Sequence, residues 1–443
     1  MREALRAARA ALEGEEAWLV GGAVRDRLLG RDTDDIDLAV PGDPKPYARK
    51  LSRAIKGTAF ELSGEFGAWR VVAPEHAWHV DIVTLRDGDI DTDLAQRDFT
   101  INAMAEPLAG GTVRDPHGGE RDLADRVVRM VSSHALSDDP LRSLRAIRFA
   151  VELDLGLDPA TAIEVTRQAP GLERVAAERI FAELKRVISA DAVLRGLGLL
   201  DEHGLTDIVL PELNALKGVQ QSHFHHLDVH DHTLAVLDEV TKLDDPLLQE
   251  PLSDELTRGE AMRWAALLHD AAKPETRGEL PGGRVTFLGH DAAGARLAKN
   301  VLGRLRTSAR LREYVAALIA HHLDAGFLVH ERPLDRRTIW RYLRDTKPYS
   351  ADITLFTVAD RLATRGKNAE AAIEAHLDVA RTLIAAAAEP IPPPLVRGDE
   401  LIAVGVAPGP RLGELLAQLD EDRFAGVVST REQALARARE LTQ

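Results

Sequence analysis

Short apolar runs separated by polar turns dominate the first part of the chain. Residues 18–20, 36–40, 59–62, 69–72 and 79–84 are rich in β-branched and aromatic side chains, which predicts five strands. Residues 23–29, behind Gly21 and Gly22, read as a helix, and the charged opening segment 1–16 reads as an amphipathic surface helix. After Val131 the strand signals fade. Leu141, Leu144, Ile147 and Val151 then recur at helical spacing and open a long helical region. Gly204, Pro211 and Gly218 mark a boundary within 201–217, and the prolines of 390–394 force an extended spacer. The predicted class is α+β multidomain, with an α/β head over 1–135 and a helical neck over 136–215. A histidine-rich helical domain over 216–388 follows, then a Pro-rich linker and small helical module over 389–443.

Composition narrows the chemistry. With 443 residues, 45% hydrophobic and 29% charged, the chain suits several globular domains. Zero cysteines exclude disulfides, thiolate zinc sites and cysteine nucleophiles. A net charge of -15 disfavours non-specific coating of a polyanion, so any nucleic-acid contact has to use local arginine clusters. No apolar run reaches the length of a membrane span, and the expected compartment is the cytoplasm.

The densest candidate chemistry lies in WLVGGAVRDRLLGRDTDDIDLAV, residues 18–40. Asp35 and Asp37 sit two apart on a predicted strand, the spacing that puts two carboxylates on one face to hold divalent metal. Gly21 and Gly22 allow backbone to approach a phosphate, and the following helix, with Arg25 in its first turn, offers free amides to an anion.

This order of elements resembles the class II tRNA nucleotidyltransferase and bacterial poly(A) polymerase superfamily, carried by GGAVRD followed by DIDLAV. The resemblance implies a polymerase-β-like head using Mg2+ at Asp35 and Asp37. It places a third catalytic carboxylate at Asp81 of HVDIVTLR. QRDFTINAMA is similar to the family's RRDFTINA motif, with Gln96 for the first arginine; it implies Arg97 for the triphosphate, and Asp98 and Asn102 for the sugar and local scaffold. VRDPHGG resembles the motif joining head to neck, where Gly118 and Gly119 suit a hinge.

In SDDPLRSLRAIRF, Ser137 can cap a helix with Pro140 in its first turn, which would make Asp139 and Arg142 neighbours at i and i+3, with Arg145 and Arg148 continuing the stripe. By residues alone the favoured reading is an N-terminal charge pair on a surface helix. The resemblance to the EDxxR motif, with Asp138 at the usual glutamate, assigns the pair to reading the incoming base. Cytosine and adenine each present an amine beside a ring nitrogen, matching one acceptor and one donor; uracil and guanine place a carbonyl at the amine position. AAERIFAELKRVI, with Glu178, Arg179, Glu183 and Lys185, is similar to the last neck motif and is expected to be structural.

Histidines crowd from His223 to Asp360. LLHDAAKP resembles the HD phosphohydrolase superfamily, which implies His232, His269, Asp270 and Asp360 as ligands of a divalent metal (Mn2+, Ni2+ or Mg2+), with His290, His321 and His322 for a second ion. His223, His225 and His226 are expected to be scaffold. Segment 397–419 resembles the family's small C-terminal module.

The whole-chain expectation is a template-independent transferase of CMP, and further of AMP, from CTP and ATP to the 3′-hydroxyl of tRNA. Family members that add all three nucleotides carry a flexible segment between the third-carboxylate strand and the RRD motif, thought to reshape the pocket for ATP. Here there is no room for it between Asp81 and Arg97, so the resemblance favours CC addition, with a separate A-adding enzyme as cellular partner. Poly(A) polymerase is the alternative within the superfamily. Outside it, the alternatives are an HD phosphohydrolase with an RNA-binding head and a non-catalytic tRNA-binding scaffold.

Overall fold

The computed structural model describes residues 2–31, 35–63, 67–221, 227–281, 283–365 and 369–442. The fold divides into two compact units, Met1–Val209 and Leu210–Gln443.

The first unit is built on a six-stranded sheet of β1 (Trp18–Val20), β2 (Asp35–Val40), β3 (Thr58–Ser63), β4 (Ala68–Val72), β5 (His79–Thr84) and β6 (Ala105–Pro107), in the order β3-β4-β5-β2-β1-β6. Only β2 and β5 run parallel. The five expected strands are present within two residues at each end. The sixth was not legible: three residues beside β1 carry no alternation of their own and exist as a strand only through pairing. Along β2 and β5, Ile36, Leu38, Val40, Val80 and Ile82 are fully buried. Helix α1 (Arg2–Ala11) buries Ala4, Leu5 and Ala8 and packs along α3 (Lys45–Ile55), while α2 (Gly22–Leu28) follows directly from the Gly-Gly turn.

Between β5 and Arg97 the chain makes a 3-10 turn and α4 (Ile90–Ala95), whose first turn is capped by Asp89 accepting from Thr92 N. Leu85, Ile90 and Leu94 join Val20, Ala39, Ala103 and Ala105 in one apolar cluster, so this connection is part of the sheet's core. The segment expected to act as a hinge is closely packed at Gly119. Asp115 accepts from Gly119 N (2.7 Å) and Glu120 N (2.9 Å), and a Cβ at Gly119 would lie 2.3 Å from Thr100 O. That glycine serves close packing rather than motion.

Helices α5 (Leu141–Glu152), α6 (Ala177–Ser189) and α7 (Val193–Glu202) complete the unit by packing on one another. Ser137 does not cap α5. Its hydroxyl donates to His134 O within a short helix, Ala135–Asp138, and Pro140 is the residue that precedes α5.

The second unit is helical apart from two small hairpins. Helices α8 (Val229–Thr241), α9 (Arg258–Leu268), α10 (His290–Arg304), α11 (Ala309–Ala320), α12 (Ser350–Ala363) and α13 (Ala369–Ala388) enclose a core containing Trp264, Tyr314 and Phe356. Residues 390–394 are non-helical, and three short helices beyond them close around Leu401, Leu415 and Leu419. No helix among the described residues is long and apolar enough to cross a membrane.

Candidate functional site

β1 ends at Gly21, whose φ of +65° suits glycine and whose N–H donates to Met104 O. A Cβ there would sit 2.7 Å from Arg97 Nη1, so the turn and that guanidinium are in close approach. Gly21, Gly22, Asp37, Arg97, Asp139 and Arg142 all line one cleft of ≈ 1260 Å³ in the first unit. Residues from four separate motifs thus converge. Asp35 lies on β2, with its side chain outside the described residues.

Asp81 is in register with Asp37 on the parallel neighbour strand. Its carboxylate, however, is turned onto Arg70, whose Nε and Nη2 each donate at 2.7 Å, and it does not line the cleft. The expected third carboxylate therefore stands beside the site as half of an ion pair. Sequence spacing placed Asp81 correctly but could not show an arginine arriving from β4.

A continuous polar network lines the cleft. Arg25 Nη1 donates to Asn102 Oδ1 (2.6 Å), Asn102 Nδ2 to Asp98 Oδ1 (3.2 Å), and Arg145 Nε to Asp98 Oδ2 (2.8 Å). Arg145 and Arg148 both meet Glu183 on α6. Burial alone would raise the Asp98 carboxyl, but Arg145 outweighs it and holds the group below its ordinary range. Burial pushes Arg148 down to about 10. Asp98 also accepts from Phe99 N, so both its oxygens take part in the scaffold while the residue lines the cleft. Arg97 itself is steadied by Asp93 one turn earlier, at 2.8 Å.

Asp139 and Arg142 face the same cleft without pairing. Asp139 is extended, φ −144°, ahead of α5, so the two are not i and i+3 of one helix. Arg142 donates Nη1 to Ala135 O (3.0 Å) and Arg97 O (3.3 Å), and Nη2 to Gln96 O (3.0 Å). Three of its five N–H groups are spent on backbone, leaving two for a ligand. Gln96 O also accepts from Arg86, which ties the connection after β5 to this arginine.

In the second unit the expected histidines form a buried cluster. His232, His269 and Asp360 offer ligand atoms within 4.8 Å of one another, as do Asp270, His290 and His322. Nδ1 of His269, His290 and His322 lies 2.9, 2.7 and 2.6 Å from the carbonyls of Ala266, Phe287 and Ile319. A carbonyl only accepts, so each Nδ1 carries a proton and each Nε2 is the atom left facing inward, a lone pair wherever the ring is neutral. His290 Nε2 and His322 Nε2 face each other at 3.2 Å. Burial drives His322 down to about 4, keeping it neutral. His269 Nε2 and both Asp270 oxygens are buried with no well-formed hydrogen bond, although Lys273 approaches Asp270 to 2.7 Å. Inward lone pairs, buried carboxylates and no thiolate suit a divalent metal.

His321 is the exception among the expected ligands. It turns away from the cluster onto Asp324 Oδ2 at 2.7 Å, a hydrogen bond that raises its pKa. His223, His225 and His226 lie outside the described residues.

Three family descriptions match consecutive parts of the chain: "Poly A polymerase head domain" over residues 17–129, "Probable RNA and SrmB- binding site of polymerase A" over 154–217, and "HD domain" over 229–365. The A-adding tRNA nucleotidyltransferase of Deinococcus radiodurans is 39% identical over 430 residues, covering 95% of this chain and 94% of that protein. The CC-adding tRNA nucleotidyltransferase of Thermus thermophilus is 35% identical over 95% of this chain and 93% of its own length. A solved CCA-adding enzyme in complex with CTP shares the fold at a TM-score of 0.66 and 21% identity, covering 100% of this chain and 96% of that one. With near full-length identity to such relatives and a cleft that gathers the superfamily's motifs, the chain belongs to the tRNA nucleotidyltransferases, a family of enzymes.

Proposed function

We propose that this enzyme transfers CMP from CTP to the 3′-hydroxyl of tRNA lacking its terminus, adds two cytidines and stops. Asp35 and Asp37 hold the catalytic Mg2+, which supplies activation of the hydroxyl and charge neutralisation of the departing pyrophosphate. Gly21, Gly22, Arg25 and Arg97 cradle the triphosphate, and Arg145 supports the floor of the site. Asp139 accepts from the cytosine amine while Arg142 donates to its ring nitrogen.

One observation supports stopping after two cytidines. The connection from Leu85 to Gln96 is folded into the sheet's core through Leu85, Ile90 and Leu94, and Gln96 O at its end accepts from Arg142, as do the neighbouring Arg97 O and Ala135 O. A guanidinium tied to three backbone carbonyls has less freedom to be re-aimed, and adenine is larger than cytosine. A second reading, addition of the terminal A alone, is favoured by the 39% identity to the Deinococcus radiodurans enzyme. Incubating tRNA lacking its terminus, and tRNA ending in CC, with CTP, ATP or both, then sequencing the 3′ ends, separates them. The expected result is CC from CTP and no further growth with ATP. Growth of only the CC-ended tRNA, by one A, would establish the second reading instead.

The same assignment makes Gly21 demanding. Gly21→Ala meets both a positive φ and Arg97 Nη1 at 2.7 Å, so Arg97 has to move by about an ångström. A displacement of that size costs on the order of a hundredfold in kcat/KM for CTP. Steady-state kinetics on the folded variant checks it.

The buried histidine cluster is proposed as a separate metal-dependent phosphohydrolase or phosphodiesterase centre, supported by its inward lone pairs and its match to the HD domain.

A further inference from the structure

Asp139 is held by one neighbour in its own turn and by one residue from a separate helix. Its Oδ1 accepts from Leu141 N at 3.2 Å, and its Oδ2 accepts from Arg179 Nη2 at 2.7 Å. Arg179 stands in the first turn of α6, forty residues along the chain. The next residue, Pro140, is seated on Gly171, where a Cβ would come within 2.7 Å of two proline ring carbons. The turn that presents Asp139 is therefore shaped from one side by Gly171 and from the other by Arg179. Both Asp139 and Arg179 line the cleft.

Local stability does not account for this pair. Arg179 is 53% exposed, and an ion pair so open to water adds little to folding. Its consequence is directional. A carboxylate has about four lone-pair positions on two oxygens, and its terminal torsion is broad and nearly two-fold. The Leu141 amide fixes one oxygen and Arg179 the other, so the carboxylate plane cannot rotate. The remaining lone pairs then point one way: toward a base amine they accept, and toward a carbonyl at the same place they repel.

We infer that Arg179 is a positioning residue for base choice, acting through Asp139 rather than touching the base. The inference rests on Asp139 as the base reader. Without Arg179 the carboxylate would rotate about one anchor, water would take the vacated oxygen, and the penalty against uracil would fall. Binding of cytosine would suffer more than the chemical step, because the metal and triphosphate contacts are untouched.

The test is a double-mutant cycle on kcat/KM for CTP and UTP, using Arg179→Gln, Asp139→Ala and both together, with Arg179→Lys as the conservative variant. Arg179→Gln is expected to lose about tenfold in CTP-over-UTP discrimination. The loss should fall mainly in KM, at an unchanged melting temperature, with Arg179→Lys recovering part of it. Asp139→Ala should lose at least as much, and the double variant no more than Asp139→Ala alone. Full discrimination in Arg179→Gln, or additive losses in the double variant, would overturn the positioning role while leaving Asp139 as reader. Full discrimination in Asp139→Ala would instead overturn the base-reading assignment itself.

Discussion

Asp37→Ala is expected to abolish nucleotide addition while leaving the fold intact. Asp37 is the described carboxylate of the paired motif. It lies on β2 and lines the cleft together with the Gly-Gly turn and Arg97. Its neighbour in register, Asp81, is committed to Arg70 by two 2.7 Å hydrogen bonds and cannot replace it without breaking that pair. Among the described residues, a metal platform that loses a ligand here has no spare carboxylate of the same geometry. Loss of at least about a thousandfold in CTP incorporation follows, equivalent to roughly 4 kcal/mol of barrier. Asp35→Ala should behave alike, and tRNA binding should change little. Radiolabelled CTP incorporation beside a filter-binding measurement distinguishes the two effects, and retention of more than a few per cent of wild-type incorporation would sink the metal assignment.

Arg70 gives that result a companion reading. With both Asp81 oxygens paired, the ion pair keeps a second carboxylate charge from adding its full repulsion beside Asp37. The resemblance put Asp81 on a strand beside the paired motif, and it lies on β5 next to β2. Nothing in the sequence pattern fixed the β4–β5 register that sets Arg70 opposite Asp81. The same limit explains the other surprises. Asp139 and Arg142 were assigned to one helix from their spacing, whereas Pro140 starts the helix between them and leaves Asp139 extended. Nothing in a linear pattern connects Arg179 with Asp139, forty residues apart, so their ion pair was not legible. His321 and His322 are adjacent and chemically identical, yet one caps an aspartate and the other enters a metal-like cluster; only the local end of α11 decides which. What was legible was of another kind. Strand alternation located the head's sheet, and motifs whose chemistry requires particular residue types located the cleft.

The connection between β5 and Arg97 shows how a short segment can carry a functional consequence. Its length was readable, but its rigidity was not. Ile90 and Leu94 are buried beside Val20 and Ala39, so the segment cannot move without opening the core of the head. At its end Gln96 O accepts from Arg142, which links that guanidinium to the connection.

In the second unit, replacing His269 by Ala or Asp270 by Asn is expected to strip bound metal while sparing CTP incorporation. His269 Nε2 is aimed inward by the Nδ1 bond to Ala266 O, and Asp270 lies within 3.1 to 3.7 Å of His269, His290 and His232. Burial alone would raise the Asp270 carboxyl; His269 and Lys273 overcome it and keep the group ionised, ready as a ligand. Asparagine is preferred to alanine at this position because it leaves a polar partner for the buried Lys273, so lost metal is not confused with a lysine stranded in the core. Even partners outside a ligand shell are worth about 10- to 100-fold in metal affinity, so loss of a direct ligand should exceed the upper figure. The nucleotidyl transfer residues belong to the other compact unit, which is why incorporation should survive. Metal analysis of wild type and variants checks the first part. Assay of phosphate release from 2′,3′-cyclic and terminal phosphates with manganese, nickel or magnesium checks the second. Wild-type protein that holds no metal and hydrolyses none of these under any of the three ions would reduce the cluster to a packing element, its inward lone pairs satisfied by water alone.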